Sequence, residues 1–210
     1  MVETSLVPTA CFMLATDDPS QPAHSPHSLR FVSEQLWKAR TVLLFGEIDM
    51  RLAETVSAQL MALAAADTAP IRLLINSPGG HVEAGDTLHD VIRFIQPKVL
   101  VVGTGWVASA AALVYVGTAR ELRFALPNTR FLLHEPRGGA SGQASDVEIE
   151  ASQVLAMRAR LNRIFADATG QPLEKIARET QRNHWMSAEA AREYGLVGRI
   201  VESTSDLPTA

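Results

Sequence analysis

The regular alternation of short β-type runs with helical runs is the feature that most constrains how this chain can fold. From Thr41 onwards, "TVLLF" is followed by "RLAETVSAQLMALAAA", and "IRLLI" is followed by the turn "NSPGG" and the helical stretch "VEAGDTLHDVIRFI". In the first helical stretch, Leu52, Val56, Leu60 and Leu63 recur on one face. Repeated β-α units of this kind predict an α/β fold with mainly parallel strands, in which ligands gather where the strands end.

The β-type pattern continues through the second half of the chain. A third run, "VLVVG", leads into the apolar segment "GWVASAAALVYVG". "RELRF" and "RFLLHEP" predict two further β segments, separated by a Leu-Pro-Asn-Thr turn, and the second of them ends at His134. Ser187 is expected to begin a short helix that ends at Tyr194, and "LVGRIV" is expected to form the last strand.

A long helix is predicted after the His134 segment. The glycine-rich "PRGGASGQ" predicts a flexible connection, and Ser145 with Glu148 forms a capping-box pattern that is expected to open the helix. The helical pattern continues to about Ala168, and Gly170 follows as a typical helix-ending residue.

Residues 1–28 differ in composition from the rest of the chain. They hold prolines at positions 8, 19, 22 and 26 among Ser, Thr and Asp, so we expect a flexible arm or a removable leader. The stretch has neither the basic start nor the apolar core of a signal peptide. We therefore divide the chain into the arm 1–28, one domain at 29–201 and a tail at 202–210.

Composition argues against several classes of function. The 210 residues are 47% hydrophobic and 20% charged, and the net charge of −4 gives no electrostatic reason to expect a nucleic-acid partner. No apolar run reaches membrane-spanning length. The single cysteine, Cys11, cannot close an intrachain disulfide, which favours a reducing, cytoplasmic location. With no metal-ligand spacing and no phosphate-binding loop, no cofactor is predicted.

Ser109 is the only serine or threonine in the segment "GWVASAAALVYVG". Taken alone, it could be a filler that bonds back to its own backbone. As a nucleophile it would need a base, for which His134 is the natural candidate, although a histidine taken alone more often has a structural role. The glycines of "NSPGG" could expose backbone N–H groups to an oxyanion, or could simply form a tight β-turn.

Several motifs, taken in order, resemble one known family. "INSPGG", "GWVAS", "RFALPNTRFLLHEPRGG", "GQASDVEIEA" and "SAEAAREYGLV" resemble the proteolytic subunit of the ATP-dependent Clp protease, the ClpP family. The resemblance covers about residues 30–201, and several independent motifs are far more specific than a single short one. It implies the ClpP/crotonase-type fold of repeated β-β-α units with a protruding handle helix, which would lie at about 135–168.

The resemblance also implies a role for each candidate site residue. Ser109 matches the family's nucleophile and His134 matches its base, while the backbone N–H groups of Gly80 and Ala110 match its oxyanion hole. The handle implies that two heptameric rings stack into a tetradecameric barrel around the active sites. The chain is therefore predicted to be a serine endopeptidase that hydrolyses unfolded proteins or short peptides through an acyl-enzyme.

Two positions in "ETQRNHWMS" depart from the family pattern. Asn183 stands where the family carries the aspartate that orients the histidine, and an amide lacks the charge that stabilises an imidazolium. Gln181 replaces an acid that, beside the arginine matching Arg182, contributes to contact between rings. Ring stacking is therefore expected to be weaker or to require a different subunit. The neighbouring His184 is expected to lie on the surface.

These departures leave alternatives open. The first is a weakly active or inactive structural or regulatory subunit of a mixed barrel that contains a paralogue. A remote alternative is a crotonase-like acyl-CoA enzyme, because that superfamily shares the repeated units and a backbone oxyanion hole. A serine-lysine peptidase would need a placed lysine, and Lys38, Lys98 and Lys175 lie in no recognisable dyad motif. Docking to an AAA+ unfoldase of the Clp type is implied by the resemblance alone.

Overall fold

A computed structural model describes residues 26–138 and 141–208, so the predictions for residues 1–25, including Cys11, lie outside the described residues. The helices are α1 (Pro26–Lys38), α2 (Met50–Ala66), α3 (Val82–Phe94), α4 (Ala110–Tyr115), α5 (Ala144–Thr169), α6 (Leu173–Glu179) and α7 (Ala188–Tyr194). The strands are β1 (Thr41–Phe45), β2 (Ile71–Ser77), β3 (Val99–Ala108), β4 (Arg123–Ala125), β5 (Arg130–Leu133), β6 (His184–Ser187) and β7 (Arg199–Ile200). In these ranges no helix is long and apolar enough to cross a membrane.

The described strands form one mainly parallel sheet. Its main path runs β1-β2-β3-β4-β7, and every neighbouring pair along it is parallel. β5 pairs in parallel with β3, and β6 pairs antiparallel with β5. This arrangement confirms the α/β fold with mainly parallel strands that the alternation of β-type and helical runs predicts.

β3 extends well beyond the predicted run "VLVVG" and ends at Ala108. Ile75 pairs with Gly103, whereas Ser77, only two residues further along β2, pairs with Val107, so β3 bulges between these pairs. Before the bulge β3 pairs with β4, and after it β3 pairs with β5. The bulge thus lets one strand serve two parts of the sheet, a feature that periodicity in the sequence does not reveal.

A glycine makes this bulge possible. Gly105 has a φ of +58°, and a Cβ on it would lie 2.7 Å from Oδ1 of Asn76 at the end of β2. The backbone N–H of Trp106 donates to the same oxygen at 3.4 Å. The close approach of β2 and β3 therefore requires a residue without a side chain here.

The core lies between the sheet and α2, α3 and α4. Along β2, buried and partly buried residues alternate, as expected for a strand with one face on the core. On the predicted face of α2, Val56, Leu60 and Leu63 are buried and Leu52 packs against the core, which confirms that pattern. Every residue of α4 is buried, and the hydroxyl of Tyr115 donates to the carbonyl of Phe124 at 2.8 Å.

The helix ends confirm two of the sequence predictions and correct a third. Gly170 ends α5 with a φ of 72°, and Ser187 begins α7 by accepting a hydrogen bond from the N–H of Ala190 at 3.2 Å. The predicted capping box is wrong. α5 already begins at residue 144, so Ser145 lies inside the helix, and the capping residue Gln143 makes no side-chain cap.

The first part of α5 lies away from the core, whereas α1 contacts the core near its end. In α5 the buried residues all lie in its last third, from Leu161 onwards. The first part of the helix therefore projects from the core, as expected of a handle helix. α1 begins at Pro26, inside the stretch predicted as an arm, and proline is well tolerated in the first turn of a helix. Trp37 of α1 packs against the core.

Candidate active site

Ser109 occupies a sharp turn between β3 and α4. Its φ of 56° and ψ of −122° are unusual, and Arg40 is the only other non-glycine residue with positive φ in the described ranges. The N–H of Ser109 donates to the carbonyl of Leu132 at 2.9 Å, and its carbonyl accepts from Ala112 at 2.9 Å. Strained backbone of this kind persists where the surrounding structure fixes it, often at functional sites.

His134 follows β5, the strand that pairs with the end of β3. Because Ala108 pairs with Leu132 in parallel, the residues that follow the two strands lie at the same edge of the sheet. Nε2 of His134 lies 2.7 Å from Oγ of Ser109, within hydrogen-bonding distance. Strand pairing therefore brings together two residues that are 25 positions apart in the sequence.

The surroundings of His134 favour its neutral ring. Burial lowers the pKa of the imidazole below its ordinary value, and the positive charge of Arg137 lowers this pKa further. A side-chain hydrogen bond with Asn183 and the charge of Glu135 raise the pKa, without reversing the net shift. A neutral imidazole beside a hydroxyl can accept its proton, which is the requirement for a general base.

Asn183 lies beside His134 because β6 runs antiparallel to β5. Leu133 pairs with His184, so the residue before β6 comes to lie beside the residue after β5. The Asn183 side chain is exposed and carries no charge, which limits its influence on the imidazole. The structure therefore brings the three predicted side chains, those of Ser109, His134 and Asn183, to one edge of the sheet.

The glycine turn after β2 packs directly against the Ser109 turn. A Cβ on Gly79 would lie 2.6 Å from the carbonyl oxygen of Ala108 and 2.6 Å from Cβ of Ser109. Ser77 is fully buried, and its hydroxyl accepts a hydrogen bond from the N–H of Gly79 at 3.1 Å. Gly79 and Ser77 are not among the predicted site residues, although the "NSPGG" motif contains both.

Among the described residues, the two backbone N–H groups predicted to form an oxyanion hole have no hydrogen-bond acceptor. The N–H of Ile48 donates to the carbonyl of Gly79 at 2.8 Å, and the carbonyl of Ile48 accepts from the N–H of His81 at 2.8 Å. Neither of these two hydrogen bonds uses the N–H of Gly80. The N–H of Ala110, in the first turn of α4, lies outside the intrahelical ladder. Within the described ranges neither N–H has an acceptor, so each can donate to a bound anion.

The remaining residues singled out in the sequence lie around β6. Gln181 and Arg182 are exposed in the turn that precedes this strand. His184, which is expected at the surface, is partly exposed: its side chain is 29% exposed and its ring packs against Tyr194 with centroids 5.4 Å apart. Its Nε2 lies 4.0 Å from the carboxylate of Glu179, which accepts a hydrogen bond from the Tyr194 hydroxyl at 2.6 Å.

Taken together, these groups form a site equipped for acyl transfer. A hydroxyl beside a neutral imidazole can act as a nucleophile, and free backbone N–H groups can stabilise the anion formed on a carbonyl oxygen. All of them lie at the carboxyl end of a mainly parallel sheet, where ligands of α/β proteins bind.

Comparison with known proteins identifies the family. Residues 26–204 match the Clp protease family, and the chain therefore belongs to this family. It is 58% identical to the ATP-dependent Clp protease proteolytic subunit 3 of Rhizobium etli over 172 residues, which cover 82% of this chain and 89% of that protein. It is 46% identical to the corresponding subunit 2 of Pseudomonas aeruginosa over 196 residues, covering 92% of this chain and 98% of that protein.

Solved structures of the same family are similar throughout the domain. ClpP1 from Listeria monocytogenes superposes with a TM-score of 0.76 at 49% identity, covering 84% of this chain and 99% of that one. A mutant of the same ClpP1, in which one asparagine is replaced by aspartate, gives a TM-score of 0.78 at 49% identity, covering 83% of this chain and 98% of that one. The resemblance that the sequence motifs indicated, and the fold it implied, are confirmed.

Proposed function

We propose that this chain is a serine endopeptidase subunit of a Clp-type barrel, which hydrolyses unfolded proteins or short peptides. The observation that carries the proposal is the 2.7 Å hydrogen bond between Oγ of Ser109 and Nε2 of His134 at the ends of two paired strands. Relatives named as proteolytic subunits support the substrate class. The family match favours a peptidase over a crotonase-like acyl-CoA enzyme.

The proposed reaction proceeds through an acyl-enzyme. Nε2 of His134 accepts the hydroxyl proton while Oγ of Ser109 bonds to the carbonyl carbon of the scissile peptide. The carbonyl oxygen becomes an oxyanion that accepts hydrogen bonds from the N–H groups of Gly80 and Ala110. The imidazolium then gives its proton to the leaving amine as the C–N bond breaks. His134 next deprotonates a water molecule, which releases the acyl group and restores the serine.

Asn183 is the proposed third member of the triad. Its amide oxygen can accept the second imidazole N–H and so hold the ring with Nε2 toward Ser109. Because the amide is neutral, it does little to stabilise the imidazolium that forms as Ser109 attacks. The proposed triad therefore keeps a group that can orient His134 but lacks the negative charge that would stabilise the imidazolium, and we expect slow or partner-activated hydrolysis.

The same neutral amide supports a second candidate function. In this alternative the chain is a weakly active or inactive structural or regulatory subunit that completes a mixed barrel with an active paralogue. The two candidates differ in one property, which is whether the hydroxyl of Ser109 is activated in the assembled particle. They make the same prediction for assembly itself.

The proposed assembly is a barrel of two stacked heptameric rings. The first part of α5 is exposed, with the apolar side chains of Val147, Ile149 and Leu155 facing solvent in the isolated chain, as expected of a surface that a partner covers. An AAA+ unfoldase of the Clp type is the proposed source of ATP-dependent unfolding. A cytoplasmic location, and the absence of membrane and nucleic-acid partners, remain predictions from the sequence.

Labelling with a fluorophosphonate probe tests the proposed function. We expect the purified full chain to be labelled at Ser109, the Ser109→Ala variant to be unlabelled, and native mass spectrometry to find the label in a ring-sized particle. Absence of labelling in a particle of the same size would reject the peptidase and favour the structural subunit. The active paralogue would then be sought by testing which subunit restores peptide cleavage to a mixed particle.

A further inference from the structure

Two tryptophans and an arginine form an exposed patch on the strands that carry the active site. Trp106 of β3 pairs with Arg130 of β5, and Leu132, two residues along β5, pairs with Trp185 of β6. Trp106 is 39% exposed and Trp185 is 43% exposed, which is high for such large apolar side chains. We call Trp106, Arg130 and Trp185 the Trp-Arg patch.

The Trp-Arg patch is continuous with the active site. Side chains two residues apart on a strand share a face, so Arg130 lies on the face of Leu132 and His134, and Trp185 lies on the face of Asn183. Arg130 precedes His134 by four residues, which is about 13 Å of extended chain. A peptide bound in an extended conformation at Ser109 can therefore reach the patch with a side chain about four residues from the scissile bond.

The chemistry of the patch suits a carboxylate. The guanidinium of Arg130 lies 4.8 Å from the centre of the Trp185 ring, which holds it in place by a cation-π contact. Within residues 26–138 and 141–208, Arg130 has no ion pair and no side-chain hydrogen bond, so its N–H donors are available. A guanidinium presents these donors in a planar fork that matches both oxygens of a carboxylate.

We propose that the Trp-Arg patch binds an acidic side chain of an extended peptide, about four residues from the bond that Ser109 cleaves. Arg130 binds the carboxylate, and the rings of Trp106 and Trp185 cover the aliphatic part of the same segment. This inference rests on the proposed peptidase function for the identity of the ligand. Binding can nevertheless be measured without cleavage, so the two proposals can fail independently.

The test measures binding to the full chain carrying Ser109→Ala. Ten-residue neutral peptides, each with one Asp at a different position, are compared with matched peptides that carry Asn instead. Two of the three tryptophans in the chain lie in the patch, so intrinsic fluorescence reports occupancy. We expect Asp at one or two positions to bind roughly fivefold more tightly than Asn, with a preference that weakens as salt is raised.

Variants of Arg130 assign that preference to the patch. Arg130→Gln is expected to reduce the Asp/Asn affinity ratio to about one. Arg130→Lys keeps the positive charge and is expected to retain part of the preference for Asp. Arg199→Gln is the matched control, because Arg199 also lies over an aromatic ring, that of Phe124 at 5.5 Å, but on the strand at another edge of the sheet. It is expected to leave the ratio unchanged.

Two results would overturn the inference. The first is that the protein with Arg130 intact binds the Asp and Asn peptides with equal affinity, whichever peptide position carries the Asp. The second is a change in native mass on Arg130→Gln, which would assign the patch to contact between copies of the chain. If the parent chain is not labelled at Ser109 while the Ser109→Ala chain still prefers Asp peptides, only the proposed peptidase is rejected.

Discussion

Asn183 is the residue that we expect to limit the rate of the proposed reaction. It lies beside His134 but adds no negative charge, and the pKa of His134 remains lowered by burial. We predict that Asn183→Asp raises the cleavage rate of a fluorogenic peptide, because a carboxylate stabilises the imidazolium formed as Ser109 attacks. In a well-characterised serine protease the reverse change costs about 10⁴-fold, which sets the upper limit of the gain.

A matched substitution separates charge from orientation at this position. Asn183→Ala removes the hydrogen bond as well as the amide and is expected to fall below the rate of the parent chain. Native mass should be the same for all three proteins, because neither substitution changes Gln181 or Arg182, the residues proposed to contact the facing ring. No gain for Asn183→Asp in particles of unchanged mass would show that the neutral amide does not limit the rate.

The pH dependence of labelling reports the state of His134 directly. The probe reacts only when the imidazole is neutral, so the rate should fall as the pH drops through the pKa of the folded protein. Because burial and Arg137 lower this pKa, we predict a midpoint below about 6.5, the ordinary value for histidine. Asn183→Asp should move the midpoint to higher pH. A midpoint above the ordinary value in the parent chain would contradict the described surroundings of His134.

At the scale of elements, the contact between two turns holds the site together. The "NSPGG" turn after β2 meets the turn between β3 and α4, and Gly79 allows the approach. We predict that Gly79→Ala destabilises the fold and slows labelling of Ser109, because a Cβ would lie 2.6 Å from Ala108 and Ser109 atoms. Chemical denaturation and the labelling rate measure the two effects.

Gly46 provides the matched control for this prediction. Its φ of +91° is close to the +96° of Gly79, but a Cβ on it would meet nothing within 4 Å. Gly46→Ala should therefore cost only the backbone strain, about 1–3 kcal/mol, and leave labelling of the folded protein unchanged. Equal losses for the two variants would mean that strain, and not the contact with the Ser109 turn, makes Gly79 necessary.

The elements also show what the sequence could and could not predict. The β-α alternation and the positions of Ser109 and His134 follow from local patterns, because strand ends and turns have local sequence signals. The bulge in β3 and the contact of Gly79 with Ser109 depend on how distant strands approach each other, which no local pattern contains. The same holds for His184, whose partial burial results from packing against Tyr194 of α7.

At the scale of the whole molecule, one proposed assembly surface lies away from the site and another adjoins it. The site lies at the carboxyl end of β3 and β5, whereas the first part of α5 extends from the core without buried residues. Gln181 and Arg182, which are proposed to contact the facing ring, stand two residues and one residue before Asn183 in the sequence. We therefore expect a change in the proposed contact between rings to act on Asn183, the proposed orienting residue of His134.

The last prediction concerns this link between assembly and the site. Gln181→Glu supplies an acid beside Arg182, and we expect it to increase the fraction of double rings in native mass spectra at low salt, because a carboxylate can pair with an arginine of the facing ring. The gain should shrink at about 1 M salt, where charges are screened beyond roughly 3 Å. Gln181→Ala is the control, since it removes the amide without adding charge. If the Glu and Ala variants gave the same ring distribution at every salt concentration, the missing acid would not be what limits stacking.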